Sequence, residues 1–249
     1  MTIGQYNFSL MQKIDTTKRT DEAEIMDDFE LQGCDLEKTL GDLDNINKWL
    51  GGNKITLQGI KKLLKGQVKT NIIQIADIGC GNGAILREIA KWGRSNNYRF
   101  QLTGIDANPY TIEIAEKLSA NYPEIQYSTL NIFNDEYKSR EFNIILCTLT
   151  LHHFKNAEII SILNNFYKQA KTGIVINDLH RSRIAYFLFQ AFCRVFINNE
   201  IARKDGLTSI LRGFKKRDLQ SLSSNIPAGH QEILWKWAFR YQWIIKKQH

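Results

Sequence analysis

Asp77-Ile78-Gly79-Cys80-Gly81-Asn82-Gly83 sets a carboxylate and three alternating glycines between an apolar run (Ile72 to Ile78) and a helix-like stretch (Ala84 to Lys91). Glycines at every second position let the backbone turn with positive φ and approach a ligand with no Cβ in the way. The following helix start offers free N–H groups and the positive end of its dipole. Such a turn cradles a nucleotide-like cofactor, and Gly79, Gly81 and Ala84 also satisfy the loose G-x-G-x-x-G/A dinucleotide fingerprint. The charge of Asp77 weighs between the two readings. An acid there would face the dianionic pyrophosphate of NAD, whereas S-adenosylmethionine brings an ammonium and a sulfonium to the same place.

A second acid, Asp106, ends the strand-like run Phe100-Gln101-Leu102-Thr103-Gly104-Ile105 and precedes Pro109, which suits the first turn of a helix over Tyr110 to Ala120. A carboxylate there can accept both hydroxyls of an adenosine ribose, which serves either cofactor. Methyl transfer to oxygen further needs positioning and a group that takes the acceptor's proton. His152-His153 and His180 follow the fourth and fifth strands, and Asp178 can orient an imidazole. His180 and His152 are the candidate bases. Arg212 can pair with an anionic acceptor, with a salt bridge to Asp205 or to the acidic N-terminal segment as its competing role. Tyr186 is the other candidate acceptor contact. Cys80 and Cys147 read as small site-lining residues, and neither has a C-x-x-C or metal-ligand spacing.

The elements that must position these groups alternate. Asp35 to Leu50 reads as a helix with Leu36, Leu40, Leu43, Ile46 and Leu50 on one face, stopped by Gly51-Gly52, and a second helix covers Leu57 to Leu64. Strands follow at Ile72 to Ile78, Gln101 to Asp106, Ile125 to Leu130, Asn143 to Cys147 and Gly173 to Asp178, with helical stretches between. Alternation of this kind builds an α/β parallel sheet covered on both faces, with ligands beyond the carboxyl ends of its strands. From Ile233 to Ile245 every odd position is apolar. At about 3.3 Å per residue a single strand of that run would be about 43 Å long, so two strands with a turn near Trp237 to Arg240 are expected, their tryptophans in the core. Ile184 to Ile197 is apolar nearly all round, and such a helix must bury more than one face or line a pocket for a greasy acceptor. Residues 1 to 20 are expected to be a loose end.

The 249 residues suit one large domain, and 43% hydrophobic composition supplies a core. Four scattered cysteines make no disulfide framework, and no secretory pattern opens the chain, so a cytoplasmic location is expected. No apolar run reaches the roughly 18 residues of a membrane span, which leaves at most peripheral membrane contact. The net charge of +7 hides an acidic first fifty residues and a basic last seventy, most simply a solvated face.

Together, Asp77 to Gly83, Gly104 to Asn108 and Asn143 to Phe154 resemble the class I S-adenosylmethionine-dependent methyltransferases, over about residues 70 to 180. The resemblance implies a Rossmann-like, doubly wound, seven-stranded sheet, mostly parallel with a C-terminal antiparallel pair. It implies a methyltransferase domain over 65–249, an N-terminal extension and helical cap over 1–64, and a substrate-side insertion over 181–215. Asp77, Gly79, Cys80, Gly81 and Gly83 correspond to the turn holding the methionine end, and Asp106, Ala107 and Asn108 to the ribose site. Asn131 and Ile132 would flank the adenine, Asn131 standing where the family often has Asp. Cys147 and Thr148 complete the cofactor site, and His153 falls where the family often has a packing histidine.

More weakly, Asp21 to Phe29, Asn177 to Ser182 and Asp205 to Phe214 resemble methyltransferases found beside type III polyketide synthases and, more distantly, those of quinone biosynthesis. That implies O-methylation of a small, lipophilic phenolic or polyketide-type acceptor, polyketide-pathway enzymes as partners, and no metal. The alternatives are an RNA or protein methyltransferase using the basic tail, and an NAD-binding oxidoreductase. Against nucleic acid, Cys147 to His152 lacks the Asn/Asp-Pro-Pro-aromatic pattern of adenine N-methylation, and no RNA module is present.

Overall fold

The computed structural model describes residues 14–227 and 229–247. Five strands, β1 (Ile72–Ile78), β2 (Arg99–Asp106), β3 (Ile125–Thr129), β4 (Phe142–Thr148) and β5 (Ala170–Leu179), run parallel. β6 (His230–Lys236) and β7 (Arg240–Lys246) form the antiparallel pair, joined by Trp237-Ala238-Phe239. The sheet order is β3-β2-β1-β4-β5-β7-β6, with β7 antiparallel to β5. It is the mostly parallel, doubly wound sheet anticipated from the alternation.

The helices are α1 (Gly33–Trp49), α2 (Gly52–Leu63), α3 (Ala84–Ser95), α4 (Pro109–Leu118), α5 (Asp135–Lys138), α6 (Asn156–Gln169), α7 (Arg183–Phe196), α8 (Glu200–Arg212) and α9 (Lys216–Ser223). On one face of the sheet Ile145, Ile174, Ile176, Trp243 and Ile245 pack against Ile162 and Phe166 of α6 and Leu219 and Leu222 of α9. On the other, Ile144, Leu146, Val175 and Ile244 meet Ile60 and Leu63 of α2 and Leu86 and Ile89 of α3. Two covered faces explain why β4 and β5 read as apolar runs rather than alternating ones.

Several details depart from the sequence reading. α2 begins five residues before Leu57, at Gly52, because Gly51 takes a left-handed conformation (φ 75°) that ends one helix and starts the next. α8 was not anticipated: its apolar periodicity is weak, and Gly206 lies inside it. That glycine seats Phe189 of α7, for a Cβ there would stand 2.4 Å from the Phe189 ring. α7 buries only Ala185 and Cys193 while Ile184, Leu188, Val195 and Phe196 are exposed, so its apolar circumference is not matched by burial on several faces. Trp243 is core, but Trp235 and Trp237 are exposed, since β6 is an edge strand and the turn after it projects from the sheet.

The loose end expected over residues 1 to 20 falls mainly outside the described residues. Where described, it is tied down: Arg181 Nε donates to Thr16 O (3.1 Å), Arg183 Nε to Ile14 O (2.9 Å) and Arg217 Nη2 to Thr17 O (3.1 Å). Arg19 donates to the carbonyls of His152, Phe154 and Arg212 (2.6–2.9 Å) and lies over the Phe214 ring. This strap carries the chain over the carboxyl ends of the strands. No helix among the described residues is long and apolar enough to cross a membrane.

Candidate active site

The glycine turn between β1 and α3 is held at φ 68°, 51° and 74° for Gly79, Gly81 and Gly83. At Gly83 a Cβ would lie 1.9 Å from Tyr127 Oη, so packing as well as backbone demands glycine. At Gly81 a Cβ would meet only Leu40, at 3.8 Å, which leaves the ligand-facing side bare. Asp106, at the end of β2, accepts from Gly81 N through Oδ2 and Asn108 N through Oδ1, both at 3.1 Å. Burial raises its pKa, and those backbone donors offset part of the rise.

Asp77 lies beneath the turn, 1% exposed, and its Oδ1 has no hydrogen-bond partner among the described residues. Burial first, and then the neighbouring Asp106 carboxylate, push its pKa well above the ordinary value. An orphaned carboxylate oxygen under a bare glycine turn fits a cationic cofactor and opposes an anionic pyrophosphate.

A cavity of about 720 Å³ opens beyond the strands, and Gly79, Gly81, Asp106, Ala107, Asn108, Asn131 and Ile132 line it. The structure thus brings seven of the twelve candidate cofactor residues to one space. Asp77, Cys80, Gly83, Cys147 and Thr148 stand outside its lining. Cys80 and Cys147 are buried thiols whose pKa values burial pushes well up, and Thr148 Oγ1 lies 3.1 Å from Thr56 Oγ1. The side chain of Asn108 is committed elsewhere: Oδ1 caps α4 by accepting from Tyr110 N and Thr111 N, and Nδ2 donates to Leu31 O. Asn131 Oδ1 accepts from Phe133 N at 2.9 Å.

On the acceptor side the candidates separate. His152 lines the cavity, 2% exposed, with Nδ1 2.7 Å from Asp178 Oδ1 and Nε2 3.4 Å from Glu24 Oε1. Burial opposes its charge, but Asp178 and Glu24 outweigh burial and raise it to about 9. At neutral pH it is an imidazolium between two carboxylates, which disfavours it as a base. His180 is absent from the lining: it bridges to Phe214, and its Nδ1 accepts from Trp235 Nε1 at 3.2 Å. Tyr186 stands edge-on to Phe187, also outside the lining. Arg212 is consumed by the acidic N-terminal segment rather than offered to a ligand, with Nη1 2.6 Å from Asp27 Oδ2 and 3.5 Å from Glu24 Oε1. Asp205, the other partner considered for it, instead accepts from Ile25 N and Met26 N.

The sequence reading passed over Glu24, Asp27 and Arg240 and set His153 aside. His153 lines the cavity, a quarter exposed, with Nδ1 2.6 Å from Asp27 Oδ1 and no hydrogen bond from Nε2 among the described residues. Glu24 and Asp27 come from a short helical turn (Ile25–Asp27) in the strap, about 125 residues from the histidines in sequence, which no local spacing discloses. Ligand atoms of Glu24, His152 and His153 lie within 4.8 Å of one another. A metal ion there would have to displace the proton of His152 and stand beside the Arg212 guanidinium, 3.5 Å from Glu24 Oε1.

The charge on His152 makes a prediction about stability. Its pKa is higher folded (about 9) than in an unperturbed chain (6.5), so the contribution is fully present below pH 6.5 and is lost as pH rises through 9. Thermal unfolding of the wild type is expected to weaken over that window by an amount on the order of 3 kcal/mol, and His152→Gln is expected to flatten the decline. An unchanged slope in the variant would count against the assignment.

Residues 75–173 match the family described as a methyltransferase domain. The chain is 30% identical over 132 residues to a ubiquinone biosynthesis O-methyltransferase of Rickettsia canadensis, covering 52% of each protein. It is 23% identical over 188 residues to a carboxy-S-adenosyl-L-methionine synthase of Wolinella succinogenes, covering 70% of this chain and 75% of that one. It thus spans about half the length of the ubiquinone-biosynthesis relative. Among solved structures, the plantazolicin methyltransferase BpumL in complex with SAH superposes with a TM-score of 0.64 at 16% identity, over 85% of this chain and 90% of that one. The magnesium protoporphyrin IX methyltransferase of Synechocystis PCC 6803 gives 0.54 at 10% identity, over 82% and 84%. With its sheet order and its glycine turn, the chain has the fold of these methyltransferase structures, and its residues 75–173 match a methyltransferase domain.

Proposed function

We propose that this protein is an S-adenosylmethionine-dependent O-methyltransferase acting on a small, lipophilic acceptor with an acidic hydroxyl, of phenolic or polyketide type. One observation carries the reading: the glycine turn with Asp106 and the His153–Asp27 pair line a single cavity, whose remaining wall includes Leu43, Ile46, Leu188, Phe189, Phe192 and Ile210. S-adenosylmethionine, when bound, supplies an electrophilic methyl group on a positively charged sulfur. Gly79 and Gly81 hold the cationic methionine end with the Asp77 carboxyl beneath them, Asp106 the ribose hydroxyls, and Asn131 and Ile132 the adenine side. Asp27 orients His153 so that Nε2 is the free acceptor of the hydroxyl proton. His152, fixed as a cation between Asp178 and Glu24, packs against the His153 ring with centroids 4.3 Å apart and positions it. The ubiquinone-biosynthesis relative, named for O-methylation, supports the same chemistry.

The test is formation of S-adenosylhomocysteine from S-adenosylmethionine with a panel of alkylated phenols and catechols. Calorimetric titration of S-adenosylhomocysteine and of NAD should show binding of the first alone. Asp106→Ala, which removes both ribose bonds and the acceptors of two backbone N–H groups, is expected to weaken S-adenosylhomocysteine binding by about 100-fold. Full affinity in that variant, or NAD binding by the wild type, would remove the cofactor assignment.

A further inference from the structure

Three arginines in the described residues are almost wholly buried, and two of them are fully employed. Arg181 Nε donates to Thr16 O, Nη1 to Gly213 O and Nη2 to Asp218 Oδ2. Arg212 bonds Asp27 and the carbonyls of His152 and His153. Arg240 differs. It is 2% exposed and lines the cavity, yet neither Nε nor Nη1 has a hydrogen-bond partner among the described residues. Burial lowers its guanidinium to about 10, which leaves it cationic at neutral pH. The opposite charge that acts on it is Asp178, whose oxygens already serve His152 and the Leu179 backbone. A buried guanidinium with idle donors is costly to the fold unless something else completes it.

We propose that Arg240 is the receptor for a carboxylate carried by the methyl acceptor. Resting on the methyl-transfer reading, this narrows the acceptor class to a lipophilic acid. Five N–H donors in a planar fork match a carboxylate in two-pronged fashion. The surroundings fit an apolar body attached to that group: Leu50, Trp237 and Phe239 share the wall with Arg240, and Gly52 leaves room for Asn47 and Arg240, since a Cβ there would stand 1.8 Å from Asn47 Oδ1 and 3.0 Å from Arg240 Cζ. The location favours the acceptor over the cofactor's own carboxylate. Arg240 opens β7 opposite Leu179 of β5, whereas the glycine turn follows β1, and β4 and β5 lie between. Three strand spacings at about 4.8 Å separate the two by about 14 Å.

The experiment compares wild type, Arg240→Met and Arg240→Lys by calorimetric titration with 3,4-dihydroxybenzoate and with its methyl ester, with and without S-adenosylhomocysteine. The wild type is expected to prefer the acid at least about 10-fold, Arg240→Met to bind both within about twofold, and Arg240→Lys to keep part of the preference. S-adenosylhomocysteine affinity should stay within about twofold in both variants. Ligand-free Arg240→Met should melt no lower than wild type, because it loses an uncompensated buried charge. Equal binding of acid and ester by the wild type overturns the proposal. So does a variant that loses S-adenosylhomocysteine affinity with its acid preference intact, which would assign Arg240 to the cofactor, or one that melts lower with that preference intact, which would make Arg240 structural. Failure of the wild type to bind S-adenosylhomocysteine sinks the methyl-transfer reading instead, and the acid-to-ester ratio without cofactor remains measurable.

Discussion

Arg212→Ala is expected to destabilise the folded protein by about 3–5 kcal/mol, because it leaves Glu24 and Asp27 without their guanidinium in a largely buried setting. Glu24 is 4% exposed at its side chain and already has an oxygen without a hydrogen bond, so little water can compensate it. At roughly 3 °C per kcal/mol for a chain of this size, melting should fall by about 10 °C. Arg212→Lys should recover only part of the loss. The guanidinium also donates from Nη2 to His153 O (2.6 Å) and from Nε to His152 O (3.3 Å), and a single ammonium cannot make that fork. The burial that raises a carboxyl pKa is at present outweighed at Asp27 by His153 and Arg212. Without Arg212 its carboxyl should titrate higher and the strap should loosen from the histidine turn. A variant that melts like wild type would mean that the strap is held by Arg19 and the backbone alone.

His153→Ala should lower kcat by about 10²–10⁴, the range of a general base, while S-adenosylhomocysteine affinity is unchanged within about twofold. Asp27→Asn should cost less, since it removes the orienting charge but keeps an acceptor for Nδ1–H. The diagnostic readout is pH. As the acceptor ionises unaided, the alanine variant should regain rate with rising pH, and an acceptor ionised in advance should react at near wild-type rate in it. A deficit of equal size at all pH values would instead make His153 a packing residue.

The parts of the molecule legible from sequence are those built from neighbours in the chain. Asp77 to Gly83 needed only its own spacing to announce a cofactor turn, and the structure gives all three glycines positive φ. Asp106 was legible because a strand end and Pro109 bracket it, and its oxygens do face the turn. The terminal strand pair was legible because a run of thirteen alternating residues exceeds one strand. Arg212 was half legible: the acidic N-terminal segment was named as a competing partner, and that segment takes it. His180 follows the correct strand, but Phe214 and Trp235 occupy its surroundings, and strand ends alone do not reveal which way a loop turns.

Sequence by itself determined the sheet, the turn and the acid at the end of β2, because period, glycine conformation and strand-end chemistry are local properties. Tertiary structure alone decided which histidine has a free nitrogen and which is locked as a cation, because both answers depend on Glu24 and Asp27 arriving on a strap from far away in the chain. It also decided that Arg240 is buried with donors to spare, which an alternating strand pattern conceals: on β7 that position reads as the polar side of a surface strand until α2 packs over that face of the sheet.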